Sequence, residues 1–217
     1  MISFSGVYKR YLSGFEALKN INFTIEPAEM VFITGHSGAG KSTLLKLIAA
    51  IERPTTGSIV INGQNLAALN GNEISFLRRN LGLVFQDQKI LFDRAVFDNV
   101  LLPLQINGFD FKTATERVYA ALDKVGLLKN AKSRPITLSG SERQRLCVAR
   151  AVVGCPSILI ADEPTANLDT DYANDIINIF KSLHQVGITV LIATHNTELL
   201  GNAQQRILAL SHGELTL

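Results

Sequence analysis

Apolar and polar positions sort this chain into three stretches. In the first, Ile21, Phe23 and Ile25 alternate with polar neighbours, the period-two pattern of a strand with one buried face. Residues 57–66 repeat the pattern through Ile59 and Ile61, then reach Asn62-Gly63, a dipeptide that turns a chain tightly. Residues 29–35 are apolar without alternation, which predicts a strand covered on both faces.

The middle changes period. Within 112–128, Val118, Leu122 and Val125 fall at helical spacing with charges in the gaps, and a helical subdomain is placed at about 88–148. In the last third, 157–163 and 188–195 read as buried strands. Between them, in 174–187, Ile176, Phe180 and Leu183 share one side of a helix that Gly187 stops. Strand, helix, strand in that order predicts parallel crossovers and an α/β core. Residues 206–215 read as a closing hairpin with Gly213 in its turn, and no internal repeat is visible.

Composition narrows the function classes. A chain of 217 residues, 47% hydrophobic and 18% charged, is globular with room for a substantial core. Its net charge of +2 gives no reason to expect a nucleic-acid partner, and Arg78-Arg79 or Lys129, Lys132 and Arg134 read as solvated surface. Cys147 and Cys155 make neither a disulfide framework nor a metal pair, as expected of reduced thiols in a cytosolic protein. The N-terminus lacks a signal-peptide core, and no apolar run approaches the roughly 18–20 residues that cross a bilayer. Any membrane association is expected to go through a partner.

The strongest chemical signal is Gly35-His36-Ser37-Gly38-Ala39-Gly40-Lys41-Ser42, a G-x-x-x-x-G-K-[ST] loop between a predicted buried strand and an apolar helix. Glycines let successive N–H groups turn inward around a phosphate, and the helix N-terminus adds its dipole. Lys41 supplies a cation to the outer phosphates, the Ser42 hydroxyl is a Mg²⁺ ligand, and the cradle extends to Thr43. A second apolar strand delivers Asp162 and Glu163 at its C-terminal end. Asp162 suits the metal and Glu163 suits polarising an attacking water. Ser139 and Glu142 form a capping box before residues 143–153, and a capped helix end with Ser139, Gly140 and Ser141 is also an anion site.

The phosphate loop, "LSGSERQR" (138–145), "ILIADEP" (158–164), "NLD" (167–169) and "ATH" (193–195), in this order, resemble the ATP-binding-cassette (ABC) ATPases over essentially the whole chain. The resemblance implies a P-loop NTPase fold. It would have a mostly parallel core sheet, an N-terminal antiparallel β subdomain and an inserted helical subdomain, the core spanning about 1–87 and 149–217. It implies MgATP hydrolysis by a homodimer that closes on ATP. Matching motif to motif, Gln86 would touch Mg²⁺ and the attacking water, and Tyr11 would stack on adenine, with Tyr8 as the alternative. Asp169 would face the partner subunit, and Ser139 to Glu142 would hold the other monomer's γ-phosphate. His195 would contact the γ-phosphate and hold the catalytic geometry. Ser141 stands where the family has a second glycine, so a Cβ and a hydroxyl are added near that phosphate.

Finer strings, among them "IERPTTG" (51–57), "FLRR" (76–79) and "DRAVFDNVLLPL" (93–104), resemble the cell-division branch of the family. That branch implies an integral membrane partner and relay of ATP turnover to cell-wall hydrolases at the division site, from the cytoplasmic face of the bacterial inner membrane. The partner's helix is expected in a groove near residues 86–100. Two alternatives stay open: an ATPase for lipoprotein release, macrolide export or amino-acid transport, and a non-hydrolysing nucleotide-gated scaffold, for which Ser141 is the sole support.

Overall fold

Two sheets share the strands, as seen in a computed structural model that describes residues 1–166, 168–196 and 205–216. The first is antiparallel. Ile2–Arg10 (β1) and Glu16–Ile25 (β2) form a hairpin, Thr56–Ile61 (β4) pairs on the other side of β1, and Gln64–Asn65 (β5) closes the edge. Asn62 and Gly63 both have positive φ, 48° and 81°, so the predicted turn between β4 and β5 forms.

The second sheet has the order β10-β9-β3-β8-β7-β6. Its strands are Met30–Thr34 (β3), Leu81–Val84 (β6), Ile158–Asp162 (β7), Thr189–Thr194 (β8), Arg206–Ser211 (β9) and Glu214–Thr216 (β10). All pairings are parallel except the β9–β10 hairpin, with His212 and Gly213 in its turn. The lack of alternation in β3, β7 and β8 has a direct cause. Met30, Phe32, Leu159, Ala161, Val190 and Ile192 enter one core, while Val31, Ile33, Ile158, Ile160, Leu191 and Ala193 enter the other. Both faces are apolar because both are covered.

Six helices complete the described fold: Lys41–Ile48 (α1), Gly71–Arg79 (α2), Val96–Ile106 (α3), Phe111–Lys124 (α4), Gly140–Val152 (α5) and Thr170–Gln185 (α6). α1 packs into the core shared with the antiparallel sheet. α3, α4 and α5 build the other core with β3, β7, β8 and α6. Between β6 and β7 the chain forms only helices and short 3₁₀ turns, and α5 runs through residue 148 to Val152. Among the described residues, no helix is long and apolar enough to cross a membrane.

Candidate active site

β3, β8 and β7 run in register, with Thr34 beside Thr194 and Asp162 beside Ala193. The residues that follow them, Gly35, Glu163 and His195, therefore emerge at one edge of the sheet, where parallel α/β sheets hold ligands. Gly35 to Gly40 curl over that edge, and Gly35, Gly38 and Gly40 have φ of 148°, 80° and 110°. A Cβ at Gly40 would stand 2.6 Å from the Ala17 carbonyl oxygen, so space and backbone both require glycine there. Gly40 is also the N-cap of α1, and no side chain caps that end. The first N–H groups and the positive end of the dipole are left to a ligand. From behind, the β9–β10 turn braces the loop: Gly213 N–H donates to the Ala39 carbonyl at 3.1 Å, and the His36 and His212 rings lie 4.8 Å apart.

The loop borders a cleft of about 470 Å³ lined by His36 to Thr43 with Phe15, Ala17, Gln86, Glu163 and His195, a volume suited to a small-molecule ligand. Glu163 stands in its wall. The backbone there is left-handed, φ 48°, and its N–H is fixed on the Ala193 carbonyl at 2.9 Å. Strain of this kind persists only where surrounding contacts hold it. Glu163 Oε1 lies 2.9 Å from His195 Nδ1 and 3.5 Å from Lys41 Nζ, and the His195 N–H reaches Oε2 at 3.4 Å. Lys41 also donates to the Gly35 and His36 carbonyls at 2.7 and 3.3 Å. The Lys41 and Glu163 side chains are 8% and 11% exposed, so each charge depends on the other for compensation.

Beside the cleft, Ser42, Lys46, Gln86 and Asp162 line an adjoining cavity. Burial pushes the Asp162 carboxyl up from its ordinary value, Glu163 pushes the same way, and the Ser42 hydroxyl bond and the cations Lys41 and Lys46 oppose. Asp162 Oδ1 is buried without a hydrogen-bond partner among the described residues. An orphaned carboxylate oxygen beside a hydroxyl and an amide fits a hard divalent cation, which takes oxygen donors.

The remaining sequence-predicted residues fall elsewhere. Tyr11 stands in the β1–β2 turn, its hydroxyl 3.2 Å from Thr43 Oγ1 and the Lys9 ammonium 5.0 Å from its ring centre. Tyr8 lines a separate cavity with Lys19 and Glu214, so of the two tyrosines Tyr11 stands against the phosphate-loop helix. Phe15, which the sequence reading passed over, lines the cleft itself and is 57% exposed. Its signal was an apolar ring left over in a polar turn.

Ser139 to Glu142 line none of the cleft. The predicted capping box is formed: the Glu142 N–H donates to Ser139 Oγ at 3.2 Å and the Ser139 N–H to Glu142 Oε2 at 2.8 Å. Ser141 Oγ is 3.1 Å from Ser139 Oγ. Asp169 is the exposed N-cap residue of α6, with no side-chain cap bond, and Asn167 of "NLD" lies outside the described residues. Gln86 and Lys89 of the expected segment 86–100 line the cavity at Asp162, and beside that segment runs a groove between core and helices. It is lined by Arg78, Leu83, Leu102, Pro103, Ile106 and Arg150, while Ile90, Val96 and Val100 are buried in the core.

The family profile of the ABC transporters matches residues 18–166. The cell division ATP-binding protein FtsE of Escherichia coli (strain K12) is 52% identical over 99% of this chain and 97% of its own length. That of Bacillus subtilis (strain 168) is 43% identical over 98% of this chain and 93% of its own. Among solved structures, a dimer of the ATP-binding cassette MJ0796 in a post-hydrolysis state bound to ADP and Pi superposes with a TM-score of 0.93. It is 33% identical, covering 100% of this chain and 97% of that one.

Proposed function

The chain belongs to the ABC transporter family, and on that premise we propose that it is the ATP-hydrolysing subunit of an FtsE-type cell-division complex. The observation that carries the catalytic part is the Glu163 carboxylate held between His195 Nδ1 and Lys41 Nζ at the mouth of the phosphate loop. The FtsE relatives, matched along almost their whole length, carry the cell-division part.

The loop N–H groups and the α1 N-terminus bind the phosphates, and Lys41 neutralises the outer two. Ser42, Gln86 and Asp162 would hold Mg²⁺, which would supply positive charge against the phosphates. Glu163 orients a water for in-line attack on the γ-phosphorus. His195 keeps that carboxylate aimed and stands where the γ-phosphate is reached. Tyr11 and Phe15 supply ring surface for the base. A second copy closes the site, its Ser139 to Glu142 presenting the α5 N-terminus to the γ-phosphate and its Asp169 meeting the first subunit. Separation of charge in the products then weakens the seam.

The helical subdomain, about 88–148, is set into a core of about 1–87 and 149–217, with α5 carried across the far boundary. An integral membrane partner of the FtsX type docks in the apolar groove bounded by Leu83, Leu102 and Ile106. It holds the chain at the cytoplasmic face of the inner membrane, at the division site. Phosphate release from MgATP tests the enzyme: turnover by the unaltered chain that vanishes in Glu163→Gln is expected, and equal rates would overturn the assignment. Affinity purification from membranes tests the partner, with a multi-spanning division protein expected and a solute permease contradicting the reading.

A further inference from the structure

The loop that carries Gln86 is fastened to α5 by a set of bonds that none of the motifs describes. Gln88 Nε2 donates to Gln144 Oε1 at 3.0 Å. The Cys147 thiol donates to the Gln88 carbonyl at 3.3 Å, and burial pushes that thiol up to about 11, so it stays protonated and stays a donor. Arg150 spans the Gln88 carbonyl and the next one, its Nη2 2.7 Å from Gln88 O and its Nη1 2.8 Å from Lys89 O. Gln144, Cys147 and Arg150 stand three residues apart on one side of α5.

The bend they hold is strained. Lys89 is left-handed, φ 47°, which a residue with a Cβ adopts only when other contacts fix it. A planar guanidinium can grip two adjacent carbonyls at once, and an ammonium cannot reproduce that fork. On the far side of the bend, fully buried Asn99 accepts the Leu91 N–H at 2.9 Å and donates to the Leu91 and Ala95 carbonyls. Residues 88–91 are therefore anchored at both ends, and Gln86 stands two residues before the first anchor, in the wall of the cleft. Arg150 also lines the groove beside Leu102 and Ile106, so one side chain touches both the groove and the Gln86 loop.

We propose that Arg150 is a positioning residue for the reaction: by clamping the Gln88–Lys89 bend onto α5 it fixes where Gln86 stands in the cleft. This rests on the reading of Gln86 under the proposed function, and the test separates the two. The first measurement needs no turnover. Trypsin cuts after Lys89 only where the bend opens, so native-state cleavage at Lys89–Ile90 is expected to rise at least tenfold in Arg150→Met. Cleavage elsewhere and the thermal midpoint should hold. Unchanged cleavage at that bond overturns the clamp.

The second is a double-mutant cycle in the full chain. Gln86→Ala and Arg150→Met are each expected to lower kcat about tenfold with little change in KM, and the double variant is expected to be no slower than Gln86→Ala. Multiplying losses would mean that Arg150 acts by another route and would sink this inference while sparing Gln86. A Gln86→Ala variant with unaltered kcat sinks the role of Gln86 and this inference together. Should Arg150→Met fail to fold, Arg150→Lys, which keeps the charge and loses the fork, carries both measurements with the same expected signs.

Discussion

On the proposed function two parts of the molecule meet phosphate, and they are built in opposite ways. In the cleft, Lys41 and Glu163 are nearly buried and paired at 3.5 Å, with His195 on the same carboxylate. At the N-terminus of α5, Ser139 is exposed, and the bonds there are local: the capping box and the contact between the Ser139 and Ser141 hydroxyls. The cleft is organised within one chain because buried charges must be compensated where they are. The end of α5 spends its side chains on its own helix and leaves its first N–H groups at a surface. A half-site of that kind acts when a second surface meets it, which on the proposed function is another copy of the chain.

The largest test of this contrast is Lys41→Ala. It should weaken nucleotide binding by roughly 100-fold, about 2.7 kcal/mol, in a calorimetric titration of the single chain. Wild-type affinity would remove the cleft from the comparison. Ser139→Ala should do the reverse. Single-chain nucleotide affinity should stay within about twofold while hydrolysis falls at least tenfold, with about 1 kcal/mol of stability lost from the cap, read by urea denaturation.

A subtler probe is Ser141→Gly, which removes the Cβ and the hydroxyl that contacts Ser139. The proposal predicts that ATP-dependent association tightens by about two- to fivefold, an effect of up to about 1 kcal/mol. Weaker association in concentration-dependent sedimentation would instead make the Ser141 hydroxyl a phosphate donor.

The smallest effect concerns Glu142. Its carboxyl is held below the ordinary value, first by the Ser139 backbone N–H, with burial opposing and Arg145 assisting. A lowered folded-state value means that the carboxylate stabilises the fold above its unfolded value and that this is lost as pH falls through the folded one. Glu142→Gln should therefore lower the urea midpoint slightly above about pH 5, past the typical unfolded carboxylate range, and meet the midpoint of the unaltered chain in acid, which flattens part of the acid limb. An unaltered acid limb would mean that the box contributes nothing as a charge.

The two regions also differed in how far the sequence disclosed them. The phosphate loop is contiguous, so its residues and their spacing are visible before any fold is known. The capping box at Ser139 is equally local, and it formed as read. The meeting of Glu163 with Lys41 and His195 is not local. It depends on β3, β7 and β8 lying in register, which strand-like runs alone do not specify. Phe15 was missed because a ring at a hairpin tip gains its place only from what the hairpin packs against. α2 was missed because only Leu77 of it is buried, which leaves no apolar stripe to count. β1 was missed because register shifts between Phe4 and Val7, and again on to Lys9 and Arg10, break its alternation. The Arg150 clamp carries no local signal, since its partners are backbone carbonyls about sixty residues away.

The claim at the centre is that one chain binds the nucleotide and a second chain completes the site. Light scattering on Glu163→Gln tests it most directly, because this variant keeps Lys41, Ser42 and the α5 end and loses the step that would reopen the seam. The account predicts the 23.7 kDa monomer without nucleotide or with ADP, and twice that mass with ATP. A variant that binds ATP and stays at the monomer mass at every concentration tried would contradict it.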